Sequence, residues 1–153
     1  MDDAKRTNSL FLSTLRQIAR KERGQNFSGV GMLVYVRKTF SHKCYVDLRP
    51  KITCPENVRL GSKLCMDTLL DISDEKKPLH DGFIFFNEEG LMTHLSQYFA
   101  PRVSTRVPPN LHHGARFKTA QYGSLLRGVL LTGIVSSNGD TFVFHKGVSR
   151  KIV

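Results

Sequence analysis

A chain of 153 residues with 40% hydrophobic and 24% charged side chains has the length and composition of one globular domain with its own core. No apolar run reaches the length of a membrane span and the N-terminus lacks a signal-peptide layout, so a cytoplasmic domain with no membrane anchor is expected. The net charge of +10 favours an anionic partner, whether nucleotide, nucleic acid or acidic membrane surface. The charge is scattered, however, over Arg16, Arg20, Lys21 and Arg23, then Arg102 and Arg106, then Arg150 and Lys151, and no helix-turn-helix, zinc-finger or RNP pattern accompanies it. Cys44, Cys54 and Cys65 form no CxxC pair and read as reduced, partly buried thiols.

In chain order, Asn8-Ser9 is placed to cap a helix reaching Gly24, with Leu10, Phe11, Leu15, Ile18 and Ala19 near helical spacing and cations in its last turn. Its apolar face is short, as suits a helix packed on its own domain. Residues 30–37 read as a buried strand. Residues 43–48 read as a half-exposed strand with Cys44, Val46 and Leu48 on one side. A helix over 64–72 follows Ser62 as cap. Strands are expected at 84–86 and 91–99, joined through Asn87-Glu88-Glu89-Gly90. Residues 101–113 form a loop with two adjacent prolines, Asn110, His112 and His113. A helical segment lies within 114–127 and is bent or ended by Gly123. A strand at 129–135 turns through 136–140 into a last strand at 141–145. The chain stops at Val153 soon after, the pattern expected of one domain within something longer.

The densest stretch is Lys77-Pro78-Leu79-His80-Asp81-Gly82-Phe83, a turn that feeds the apolar run Ile84-Phe85-Phe86. Glycine beside a carboxylate lets charge approach a ligand closely, although Asp-Gly is also an ordinary turn. Two further loops share its position at strand or helix ends: Gly114-Ala115-Arg116-Phe117-Lys118 and Ser136-Ser137-Asn138-Gly139. Mixed α/β domains hold ligands on such loops. Cations at a helix start are mildly unfavourable unless an anion is present, so Arg116 and Lys118 point to phosphate.

These segments resemble the diadenylate cyclase domain family. That family carries Pro-Leu-His-Asp-Gly-Ala entering a strand, where Pro78-Leu79-His80-Asp81-Gly82-Phe83 stands here. It carries Gly-Thr-Arg-His-Arg-Ala-Ala opening a helix, where Gly114-Ala115-Arg116-Phe117-Lys118-Thr119-Ala120 stands here. It ends a strand in Val-Ser-Glu-Glu-Thr-Gly, where Val135-Ser136-Ser137-Asn138-Gly139 stands here, and its early Gly-Ala-Leu-Ile-Val-Ile strand is similar to Gly31-Met32-Leu33-Val34-Tyr35-Val36. The likeness runs in order over residues 30–147. It implies an α/β fold, a mixed central sheet flanked by helices, over a single domain 1–153. It also implies a nucleotide site at Asp81, Gly82, Phe83, Gly114, Ala115, Arg116, Lys118 and Ser136. In active members two protomers face each other and join two ATP into cyclic di-AMP with Mg²⁺ or Mn²⁺, which would place Asp81 in a catalytic and metal-binding role.

The departures bear on activity. The motif histidine is Phe117, which neither coordinates a metal nor donates to phosphate. Lys118 keeps the charge of an arginine and loses its bidentate fork. Phe83 replaces a small alanine, Ala115 a threonine, and Ser137 and Asn138 stand where the acidic pair would be. The expectation is therefore a nucleotide sensor, binding ATP or a cyclic dinucleotide without turnover, with Phe83 and Phe117 available to stack on a base. The alternatives are an active divergent cyclase, in which His80, His112 or His113 supplies the imidazole, and a nucleic-acid module driven by charge. A homodimer follows from the cyclase reading and is compatible with the sensor.

Overall fold

A seven-stranded mixed sheet with helices on both faces organises the chain. It is seen in a computed structural model that describes residues 2–21, 24–109 and 111–153. The elements are α1 (Asp3–Arg20), β1 (Val30–Tyr35), β2 (Tyr45–Asp47), α2 (Lys63–Ile72), β3 (Phe83–Asn87), β4 (Met92–Phe99), α3 (Ala115–Gly123), β5 (Val129–Val135), β6 (Thr141–His145) and β7 (Val148–Lys151). The strand order is β2-β4-β3-β1-β5-β6-β7. β1 pairs parallel with β3 and antiparallel with β5, and the other ladders are antiparallel.

β1 and β3 are buried along their whole length, which is why both read as unbroken apolar runs. Alternation divides their side chains between two cores. Met32, Val34, Ile84 and Phe86 pack with Phe11, Leu15 and Ile18 of α1 and with Cys65 and Leu69 of α2. Leu33, Tyr35, Phe83 and Phe85 face the other way, with Phe99, Phe144 and Phe117 of α3. Full burial of Phe11, Leu15 and Ile18 stabilises the docking of α1 by roughly 1.5–3 kcal/mol each. Gly133 of β5 makes room for this helix, since a Cβ there would lie 2.4 Å from a Leu15 methyl.

Several expectations are corrected. α1 begins at Asp3, not after Asn8-Ser9: Asp2 is its N-cap, accepting from the Ala4 N–H at 3.3 Å. The early turns are held by tertiary contact, with Thr7 Oγ1 donating to the Glu88 carbonyl at 2.8 Å. The helix ends at Arg20, and Arg23 lies outside the described residues, as does Asn110. The second strand is shorter than expected, and its inward residue is Tyr45 rather than Val46, while Cys44 and Leu48 lie outside it and are half-buried. Tyr45 points inward, stacked on Phe40 at 5.6 Å and edge-on to Phe85 at 4.9 Å, while Val46 is 65% exposed. An aromatic ring with an aromatic pocket outweighs the smaller Val46 side chain. β7 was not expected at all. Its four residues are exposed, so no periodicity marks it, and its signal is the turn: Lys146 and Gly147 have φ of 48° and 83°, as a two-residue hairpin of matching twist requires. The helix over 63–72 has the expected cap, Ser62 Oγ accepting from the Cys65 N–H at 3.1 Å.

The thiols of Cys54 and Cys65 are pushed up to about 11 and about 12 by burial, so neither is an activated nucleophile. His94 lies against Tyr45 and Phe85, its Nδ1 2.8 Å from Thr93 Oγ1. Burial holds its imidazole below the ordinary value of 6.5, against an opposing pull from Asp47. The unfolded chain therefore binds a proton that the folded chain refuses as pH falls through that value. Stability is present above it and lost below it. Urea unfolding should show a lower midpoint near pH 5 than near pH 7.5, with the difference reduced in His94→Phe.

Candidate functional site

At the head of β1 the chain passes through Ser28 and Gly29 and meets the first turn of α3. Arg116 Nη1 donates to the Ser28 carbonyl at 2.9 Å. This approach needs Gly29, at φ +90°, because a Cβ there would sit 2.5 Å from Arg116 Nη1 and 2.7 Å from the Val135 carbonyl oxygen. The guanidinium stands at a cleft of about 210 Å³ walled by Ser28, His113, Gly114, Ser136, Ser137 and Phe142. Burial pushes Arg116 below its ordinary value without discharging it. Among the described residues no carboxylate lies within 4.0 Å of it. Gly114 gives α3 no side-chain cap, and the first intrahelical bond is Lys118 N–H to the Gly114 carbonyl at 3.2 Å. The N–H groups ahead of it are the ones a helix leaves without intrahelical partners.

Of the three loops expected to converge, two line this cleft. Gly114, Arg116 and Ser136 stand on it; Ala115 and Lys118, on the same turn of helix, do not, and neither do Asp81, Gly82 and Phe83. Asp81 is engaged elsewhere. Its Oδ2 lies 3.4 Å from Arg49 Nη2, and its Oδ1 accepts from Ser96 Oγ at 3.3 Å. Arg49 also donates to the Pro78 carbonyl at 2.9 Å and so closes the turn. Gly82, at φ +82°, sits where a Cβ would fall 2.7 and 2.8 Å from the backbone O and N of Gln97.

The two phenylalanines expected to stack on a base are core residues. Phe83 is 5% exposed, its ring on Gly31 and edge-on to Phe99 at 5.4 Å. Phe117 is 4% exposed; His113 is stacked on it at 3.8 Å and 8°, with Phe142 and Phe144 edge-on at 5.1 and 4.8 Å. Phe83 is enclosed by its neighbours and does not reach the cleft, whereas Phe117, though packed among aromatic rings, lines it. His113 is the imidazole at the cleft, where His80 and His112 are not. The Ser28 carbonyl and Phe142 escaped the sequence reading, and the only signal for either was its adjacency to Gly29 or to the last turn.

Of the site that the resemblance implies for Mg²⁺ or Mn²⁺, Asp81 is the carboxylate present. Asp81 is tied to a guanidinium and a hydroxyl, and among the described residues no group of three His, Cys, Asp or Glu side chains is placed to hold a metal ion. Among the described residues no helix is long and apolar enough to cross a membrane.

No family model matches the sequence, and no curated protein does. Solved structures match along its whole length. A cysteine double mutant of DacA from Staphylococcus aureus superposes with a TM-score of 0.63 at 17% identity, over 100% of this chain and 90% of that one. The fold is that of a diadenylate cyclase domain. A hypothetical membrane-spanning protein from Bacillus cereus matches similarly, with a TM-score of 0.62 and 18% identity over 96% of this chain and 63% of that one.

The geometry separates the roles of two neighbouring motif residues. Gly82→Ala should destabilise the domain by roughly 1–3 kcal/mol through backbone strain and collision with β4. Asp81→Asn should cost under about 1 kcal/mol, since the Arg49 pair is about 40% exposed on both sides. Chemical denaturation of both variants tests this.

Proposed function

We propose that this domain binds the phosphates of ATP or a cyclic dinucleotide and does not turn the nucleotide over, a sensor built on the cyclase scaffold. The supporting observation is Arg116. It is a half-buried guanidinium with one carbonyl bond, no carboxylate partner among the described residues, and a glycine that admits it. A desolvated cation lacking a counter-ion is costly to hold and is offset when an anion arrives. The uncapped start of α3 adds backbone donors and a favourable dipole, and Ser136 and Ser137 add hydroxyls on the facing wall. At about 210 Å³ the cleft suits a phosphate group, with the rest of the nucleotide lying outside it.

Turnover is disfavoured by the same geometry. Joining two nucleotides depends on in-line positioning and on charge aimed at the transferring phosphate. Here the motif carboxylate is spent on Arg49, the motif histidine is a buried Phe117, and Phe83 lies on Gly31. Asn138, in the loop where the family has acids, donates to Asp140 Oδ2 at 3.3 Å. One observation favours the active alternative: His113 brings an imidazole to the cleft beside Phe117. A homodimer bridged by a symmetric dinucleotide is consistent with the sensor reading.

Calorimetry with ATP and cyclic di-AMP should give saturable binding. Arg116→Ala should weaken it about tenfold or more, the worth of a charge-assisted hydrogen bond. Incubation with ATP and Mg²⁺ or Mn²⁺ should yield no cyclic di-AMP by chromatography. Product that disappears in Asp81→Asn establishes the enzyme instead, and absence of saturable heat with every nucleotide removes both readings.

A further inference from the structure

A second cleft, of about 610 Å³, opens on the α3 face near the beginning of β5, whereas the Arg116 cleft lies at the end of that strand, about 20 Å of chain away. Three cations from three segments line it: Lys43, Arg102 and Arg127. No acidic residue is among its walls, and among the described residues none of the three side chains makes a hydrogen bond or ion pair. Its floor is apolar, made by Phe40 and Leu126, both half-buried.

The segments are fixed to one another by backbone bonds. Val36 N–H donates to the Gly128 carbonyl at 2.7 Å, and the N–H groups of Thr39 and Phe40 donate to the Val36 carbonyl at 3.1 and 3.0 Å. Gly128, at φ +85°, lies so close that a Cβ would stand 2.6 Å from Phe40 N. The stretch before Arg102 is anchored by Ala100 N–H donating to the Cys44 carbonyl at 2.8 Å. Phe40 is wedged between Tyr35 at 5.2 Å and Tyr45 at 5.6 Å. The backbone carrying the cations is thus set before any ligand arrives, which lowers the cost of ordering a site.

Scattered exposed cations are ordinary on a basic protein. An acid-free concavity of small-molecule size, with cations on three cross-bonded segments above an apolar floor, is not. We propose that this cleft is a second anion site, taking a phosphate-bearing small molecule whose anionic end meets Lys43, Arg102 and Arg127 and whose apolar part rests on Phe40 and Leu126. It is independent of the Arg116 cleft and of the reading built on it.

Titration of the ¹⁵N-labelled chain with inorganic pyrophosphate, followed by amide shifts, tests this. Amides of residues 39–44, 100–102 and 126–128 should move saturably, and should still do so in Arg116→Ala. The double variant Arg102→Ala/Arg127→Ala should weaken this event at least tenfold, and it should fold, because neither side chain bonds to the rest of the domain. Arg16→Ala/Arg20→Ala removes the same charge elsewhere and should leave it unchanged. The proposal is overturned if those amides do not move, if both double variants weaken binding equally, or if only a single-stranded oligonucleotide, and not pyrophosphate, saturates them.

Discussion

The ring of Phe83 lying on the bare backbone of Gly31 is the contact from which the aromatic core under α3 is built. A Cβ at residue 31 would stand 2.8–3.0 Å from three atoms of that ring, so the two residues are fitted as a pair across the parallel β1–β3 ladder. The ring then meets Phe99, Phe99 meets Phe85, and Phe85 meets Tyr45, Phe40 and His94. A run of edge-on and tilted aromatic contacts thus fills one face of the sheet from the Asp-Gly turn toward β2. In the family pattern the residue after Asp-Gly is small. Placing a phenylalanine there commits to packing the space over Gly31 that an alanine would leave open.

On the other side of β1 a different exchange governs. Gly29 has no side chain, so Arg116 reaches the Ser28 carbonyl across what would otherwise be Cβ volume. This bond ties the start of α3 to the head of the central strand, and Thr132 Oγ1 donating to the Ala120 carbonyl ties a later turn of the same helix to β5. α3 is thereby held at two levels, and its N-terminus is fixed at the loop of residues 136–140. Helix, strand head and loop form a cleft because each is anchored to the sheet by its own backbone demands. The cation is the one component whose presence those demands do not explain.

The sheet was legible in the sequence wherever burial is two-sided. Residues 30–35 and 83–87 announced themselves as apolar runs because both faces are covered, and Ser62 announced the second helix because a cap is a local bond. The failures have a common cause. The first turns of α1, Tyr45 and β7 are placed by partners distant in sequence or by a turn whose first residue, Lys146, does not advertise a positive φ. At the site, Gly114, Arg116 and Ser136 share one cleft, and Asp81, Gly82, Phe83, Ala115 and Lys118 do not line it. Phe83 and Phe117, read as available to stack on a base, are both packed in the aromatic core, because sequence shows that a ring is present and not which neighbours surround it, and of the two only Phe117 lines the cleft. His113 is the sharper lesson. Adjacent histidines in a loop look alike in sequence, and only the flat contact with Phe117 brings one of them to the cleft.

Motif residues that agree with the cyclase pattern do not all carry the same information. Gly82 has a positive φ and a strand backbone within 3 Å of its missing Cβ, so the fold requires it whether or not a ligand binds. Asp81 has a structural occupation in the pair with Arg49 and the bond from Ser96, which suffices to explain its presence. Gly29 follows from its positive φ and from the Val135 carbonyl as well as from Arg116. That leaves Arg116 itself, whose burial opposes its charge and whose one bond, to a carbonyl, an uncharged donor of similar reach would also satisfy. A fold that needed only a helix-to-strand tie at this point would be better served by a neutral side chain, since removing water from a guanidinium without supplying a carboxylate is unfavourable. The excess cost of a cation at this one position is the observation on which the proposed anion site rests.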